Sequence, residues 1–123
     1  MATTCELFGG NLVSMMPHTH KRTREFAVDL LTSDGSERRV YEAREYDLES
    51  DIRVFSEPID LAPYSHVRHT CTIQNDLGVP INYGIGDNEM CTLFGYMFPP
   101  EAQMLGVVAS GTSCVALHLG ANR

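Results

Sequence analysis

The chain has 123 residues, a net charge of −7 and 43% hydrophobic residues, with a pI of about 5.0. That length fits one domain of ordinary size, residues 1–123, with enough apolar content to build a core. The acidic balance argues against nucleic acid or an anionic membrane surface as partner, and no stretch approaches the ~18 apolar residues of a membrane-spanning helix.

Helix signals are scarce, and turn signals recur about every ten residues, the rhythm of an all-β sandwich. Residues 5–16 read as a strand bent at Gly9-Gly10. Residues 18–31 are extended, and 25–30 alternate polar with apolar. Ser33-Asp34-Gly35-Ser36 predicts a hairpin turn, with 38–44 as the return strand. A polar connector at 46–50 leads to a short strand at 52–55. Pro58 and Pro63 punctuate the loop that follows and exclude a helix there. Over 66–74, Val67, His69, Cys71 and Ile73 share one face, and His66, Arg68, Thr70 and Thr72 the other. A turn at 75–78, a short strand at 79–83 and a loop at 84–87 come next. Residues 90–98 are the most apolar strand, and Phe94, Tyr96 and Phe98 alternate with Leu93 and Met97 as in a strand buried on both faces. Pro99-Pro100 ends it, 100–104 fits a helical turn, and 105–109 and 114–119 read as two more strands. The sum is a single domain of eight or nine strands.

Within it, Met16-Pro17-His18-Thr19-His20 carries the clearest chemical signal. Residues two apart on a strand point to one face, so His18 and His20 offer two imidazoles to one metal ion. Met90, in Asp87-Asn88-Glu89-Met90-Cys91, is the candidate third donor. Two imidazoles and a thioether form a borderline-to-soft set that suits copper, Cu(I) in particular, better than calcium, magnesium or a closed structural zinc site. The same residues also fit a plainer reading: two surface histidines on a strand, and a methionine that fills a core. Glu89 fits either a general base or a loop anchor. His66 and His69 fall on opposite strand faces, whereas metal-binding histidines converge on one. His66 is therefore expected to be exposed and His69 to lie at the core margin. A second metal site drawn from His66, His69 and His118 is disfavoured on that ground.

Cys5, Cys71, Cys91 and Cys114 are widely spaced with no CxxC, which excludes a zinc knuckle or a thioredoxin motif. Four cysteines fit two disulfides in any of three connectivities, or four buried thiols. Residues 1–4 offer no basic n-region or long apolar h-region, so a cytosolic chain, or a mature or excised fragment, is expected.

Three blocks now combine. The first is His18-Thr19-His20 followed by the Ser33-Asp34-Gly35 hairpin turn. The second is His69-Thr70-Cys71-Thr72-Ile73-Gln74-Asn75, and the third is Gly86-Asp87-Asn88-Glu89-Met90-Cys91 with the aromatic strand and Pro99 behind it. In order and spacing, from about Cys5 to Pro100, they resemble the C-terminal half of the copper type II, ascorbate-dependent monooxygenase core. That family includes the peptidylglycine α-hydroxylating and dopamine β-monooxygenases and their bacterial relatives.

The resemblance implies an antiparallel jelly-roll-like β-sandwich. It implies one copper per chain on His18, His20 and Met90, with a position left open for O2. It pairs Cys71 with Cys91 and Cys5 with Cys114, and so implies an oxidising compartment: secreted, periplasmic or lumenal. The implied reaction is hydroxylation of an aliphatic or benzylic C–H of a small substrate, with ascorbate as reductant. Family enzymes carry a second copper on three histidines of an N-terminal half, for which these residues leave no room. An N-terminal copper domain, in cis or in trans, is therefore the expected partner. One Cu(I) delivers one electron, whereas insertion of one oxygen atom with release of water needs two.

Peptide-hydroxylating members hold a peptide carboxylate with an Arg before the histidine pair and an Asn and a Tyr after the methionine. Here those positions are Met16, Thr92 and Phe94, which favours an apolar or aromatic small molecule. Two other readings stand beside this one. The first is a non-catalytic copper-binding or carrier domain, and the second is a structural sandwich with a vestigial HxH.

Overall fold

The computed structural model describes residues 2–44, 52–82, 84, 88–98, 105–108 and 112–115. Gly9 and Gly10, with φ of 80° and 86°, turn the chain between strands β1 (Ala2–Glu6) and β2 (Asn11–Thr19). Such left-handed dihedrals suit glycine, which has no Cβ to clash. The bent strand expected over 5–16 is thus two strands, and they belong to different sheets. The expected extension over 18–31 is likewise divided. Strand β2 ends at Thr19, residues 21–22 turn, and β3 (Thr23–Leu31) begins in the opposite sheet. The hairpin to β4 (Glu37–Arg44) follows the sequence reading: Gly35 has φ 91°, and the Thr32 N–H donates to the Ser36 carbonyl at 2.9 Å.

Five more strands complete the nine among the described residues: β5 (Arg53–Asp60), β6 (His66–Ile73), β7 (Cys91–Phe98), β8 (Leu105–Val108) and β9 (Thr112–Val115). One sheet has the order β1-β6-β3-β4, the other β5-β2-β7-β8-β9, and every pairing is antiparallel. The chain passes from sheet to sheet at β1–β2, β2–β3, β4–β5, β5–β6 and β6–β7, a jelly-roll-like course. Strand β5 runs through Pro58, where the sequence predicts a loop. It is an edge strand whose register jumps from Leu12↔Ile59 to Ser14↔Val54, and an edge tolerates a residue without an N–H. Residues 79–82 do not form the expected strand, because Pro80 cannot donate to a ladder and Gly78 has φ 73°. The polar connector 46–50, the helical turn 100–104 and the strand end 116–119 lie outside the described residues.

The core lies between the sheets. Leu12 and Met15 of β2 and Leu93 and Met97 of β7 meet Phe26, Val28 and Leu30 of β3 and Val67 of β6. Full burial of each such side chain contributes about 1.5–3 kcal/mol. Both disulfides cross this gap: Cys5–Cys114 links β1 to β9, and Cys71–Cys91 links β6 to β7. The pairing implied by the family resemblance is therefore the observed one, and it fits an oxidising environment.

His69 is inside this core rather than at its margin, 1% exposed and stacked on Phe26 with ring centroids 5.7 Å apart. Its Nε2–H donates to the Cys91 carbonyl at 3.3 Å. Burial pushes its pKa from 6.5 down to about 4, against the raising effect of that carbonyl. Asp29 is buried too. Burial alone would raise its carboxyl, but hydrogen bonds from Arg39 and Arg68 outweigh it and hold the pKa below the ordinary value.

The two-sided burial expected of β7 does not hold. Phe94, Tyr96 and Phe98 are 37%, 53% and 61% exposed and line the outer face of the five-stranded sheet. Beyond the buried start of the strand at Cys91 and Thr92, only the inward positions Leu93 and Met97 are buried, and no layer covers the aromatic side chains among the described residues.

Candidate metal centre

Strands β2 and β7 are central neighbours in the five-stranded sheet, and they position the candidate ligands. Met15, Pro17 and Thr19 point into the core, so Ser14, Met16 and His18 lie on the outer face. Cross-strand pairs are His18↔Thr92 and Met16↔Phe94. The register ends with Thr19↔Cys91. Beyond it, the backbone N–H groups of His20 and Met90 both donate to Glu89 Oε1, which sets the two residues side by side. His18, His20 and Met90 are half-buried. The His18 and His20 rings are 5.8 Å apart between centroids and nearly perpendicular, at 83°. Phe94 closes on His18 edge to face, at 6.3 Å.

His20 lies just beyond the end of β2, where strand pairing no longer fixes it. Two side-chain interactions replace the ladder. Its ring Nδ1–H donates to the Asn88 carbonyl at 2.8 Å. In the neutral ring that leaves the lone pair on Nε2, the arrangement by which proteins orient a metal-binding imidazole. Its backbone N–H donates to Glu89 Oε1. The same oxygen accepts the Met90 N–H at 3.0 Å, and Oε2 accepts the Arg22 N–H at 2.9 Å. Glu89 is 0% exposed. A carboxylate so buried requires hydrogen-bond partners, and backbone amides supply them. It is therefore the loop anchor of the two roles considered, engaged by three backbone donors.

Behind this loop, Cys91 is bridged to Cys71 in the facing sheet, so the residue after Met90 is covalently fixed. Arg22, buried at the turn after the histidines, pairs with Asp76 through Nε at 3.0 Å. The Arg22 hydrogen bond holds the Asp76 carboxyl below its ordinary pKa.

The predicted residues therefore fall in one neighbourhood: His18, Met16, Thr92 and Phe94 share the outer face, the His20 ring lies beside that of His18, and Met90 meets His20 at the backbone. Thr92 is buried, Met16 half-buried and Phe94 exposed. His66 is half-buried, with Nδ1 2.8 Å from the Ser65 hydroxyl, and faces away from the buried His69. His118 lies outside the described residues. No group of three or more His, Cys, Asp or Glu side chains converges among the described residues. The candidate set is a histidine pair with Met90 as the candidate third donor, and two imidazoles with a thioether would fit Cu(I) chemically.

Sequence reasoning offers Glu89 as a loop anchor but not its partners, and it misses the role of the Asn88 carbonyl. The one available signal was a carboxylate at the entry to an otherwise apolar strand, a position that water does not reach. Compared with protein-family models, curated proteins and solved structures, the chain has no match.

Proposed function

We propose that this chain is the copper-binding, O2-activating domain of an ascorbate-dependent monooxygenase that hydroxylates a small apolar or aromatic substrate. One observation carries the reading. Two segments nearly seventy positions apart are clamped together by Glu89, which holds the Met90 backbone beside the His18–His20 pair, with the His20 tautomer set by the Asn88 carbonyl. Three protein donors would leave a coordination position open for O2, as a catalytic metal site requires. When bound, copper supplies one-electron delivery to dioxygen. The chain holds the imidazoles and the thioether in place, and Met16 and Phe94 offer apolar surface beside them. The two disulfides support a secreted, periplasmic or lumenal location, and a separate three-histidine copper domain, in cis or in trans, is the partner for the second electron.

The test combines metal and oxygen. Anaerobic titration should give one Cu(I) per chain. With ascorbate and O2, the loaded protein should take up oxygen slowly and release peroxide, with little hydroxylated product. Adding a three-histidine copper domain should raise product above that background, and His20→Ala should abolish uptake. Copper retention without oxygen uptake would replace this reading with a non-catalytic carrier domain. Failure to bind copper would remove both.

A further inference from the structure

We infer that Glu89, which is not itself a ligand, is the positioning residue that brings the thioether to the histidine pair and so sets the preference for Cu(I). Its metal-binding part rests on the copper reading; its structural part does not. His18 is held by the β2–β7 ladder, but His20 and Met90 both lie just outside paired strand. One atom, Glu89 Oε1, accepts the backbone N–H of each. The distance between those two residues is therefore set by a single buried oxygen, while Oε2 accepts the Arg22 amide. Two imidazoles two residues apart chelate either oxidation state of copper. The thioether adds affinity chiefly for the reduced ion. Loosening Met90 should therefore cost Cu(I) more than Cu(II).

The asymmetry between the two oxygens makes the inference testable by two substitutions. In Glu89→Gln the amide oxygen can replace Oε1 and keep both ligand amides, but the amide NH2 then faces the Arg22 N–H, donor to donor. Glu89→Ala keeps none of the three bonds. Amide hydrogen exchange in the metal-free protein and X-ray absorption of the Cu(I) protein read the two parts separately. In Glu89→Ala, exchange at His20 and Met90 should quicken at least about tenfold relative to Val28 in β3, the scale of one charge-assisted hydrogen bond. Copper–sulfur scattering should be lost, and Cu(I) affinity should fall roughly 10- to 100-fold. In Glu89→Gln, quickening should be confined to Arg22, with sulfur scattering retained. A folded Glu89→Ala protein with unchanged exchange at His20 and Met90 and unchanged scattering overturns the inference. Should that variant fail to fold, Glu89→Gln decides: exchange changed at Arg22 supports it, and exchange unchanged at all three amides overturns it. If the wild-type protein takes up no copper, the copper reading falls, while the exchange data still decide whether Glu89 fixes Met90.

Discussion

The Glu89 side chain accepts the backbone N–H of His20 across 69 positions of sequence, and the same oxygen accepts the N–H of Met90. This contact joins the loop before β7 to the turn after β2, where neither strand ladder reaches. A fully buried carboxylate is costly unless it is paired with donors, and hydrogen bonds to a charged group are worth about 1.5–3 kcal/mol. The charge thus becomes a fixed point around which a histidine and a methionine are arranged. The covalent Cys71–Cys91 bridge stiffens the same corner from the core side.

The two bridges should differ in their effects. Cys71–Cys91 closes a sequence separation of 20 and Cys5–Cys114 one of 109. On the chain-entropy scale, their removal should cost about 3 and about 4–5 kcal/mol respectively. Paired Cys→Ala variants measured by urea unfolding check the order. Loss of Cys71–Cys91 should also weaken copper binding, because Cys91 follows Met90 directly, whereas loss of Cys5–Cys114 should affect mainly stability. Equal effects on copper would contradict the assignment of the first bridge to the site.

Stability should fall as the solution is acidified through the window between pH 6.5 and pH 4. His69 is neutral in the folded core, with its pKa pushed down to about 4, whereas the unfolded chain titrates near 6.5. The unfolded state therefore binds the extra proton first, and lowering the pH draws molecules towards it. At about 1.4 kcal/mol per pH unit of difference, the loss is about 3 kcal/mol across the window. His69→Leu should flatten that slope, whatever its own effect on stability. A slope that persists unchanged in the variant would assign the proton to another group.

Substitutions on the two faces of the structure should separate cleanly. Phe26 has 0% exposure and stacks on His69, so Phe26→Ala should cost about 3–5 kcal/mol. Phe98 is 61% exposed on the outer face, so Phe98→Ser should shift stability by no more than about 0.5 kcal/mol. Denaturant titrations of both variants provide the comparison. A large loss for Phe98→Ser would mean that the outer face is covered in solution.

Much of this architecture is legible in the residues themselves. The Ser33-Asp34-Gly35-Ser36 turn and the alternation through Val67, His69 and Cys71 dictate a hairpin and a half-buried strand, and both are present. Local pattern cannot tell a bend from a change of sheet, so Gly9-Gly10 reads as a kink when it is a crossover. Nor can it tell that Pro58 lies on an edge, or that a strand of aromatic residues has only one covered face, because both depend on which strands come to lie alongside. The histidine pair is visible through its spacing. Its junction with Met90 is not, since it is made by a side chain and a carbonyl that meet only after the sheets assemble.

The most direct test of the account is X-ray absorption at the copper edge of the reduced protein, wild type against Met90→Ile. One sulfur scatterer beside imidazole nitrogens is expected in the wild type. The variant should show no sulfur, with Cu(I) affinity falling more than Cu(II) affinity. Nitrogen-only scattering in the wild type would remove Met90 from the site. Sulfur scattering that survives in Met90→Ile would contradict the account equally, and would move the third donor to Met16 on the same sheet face.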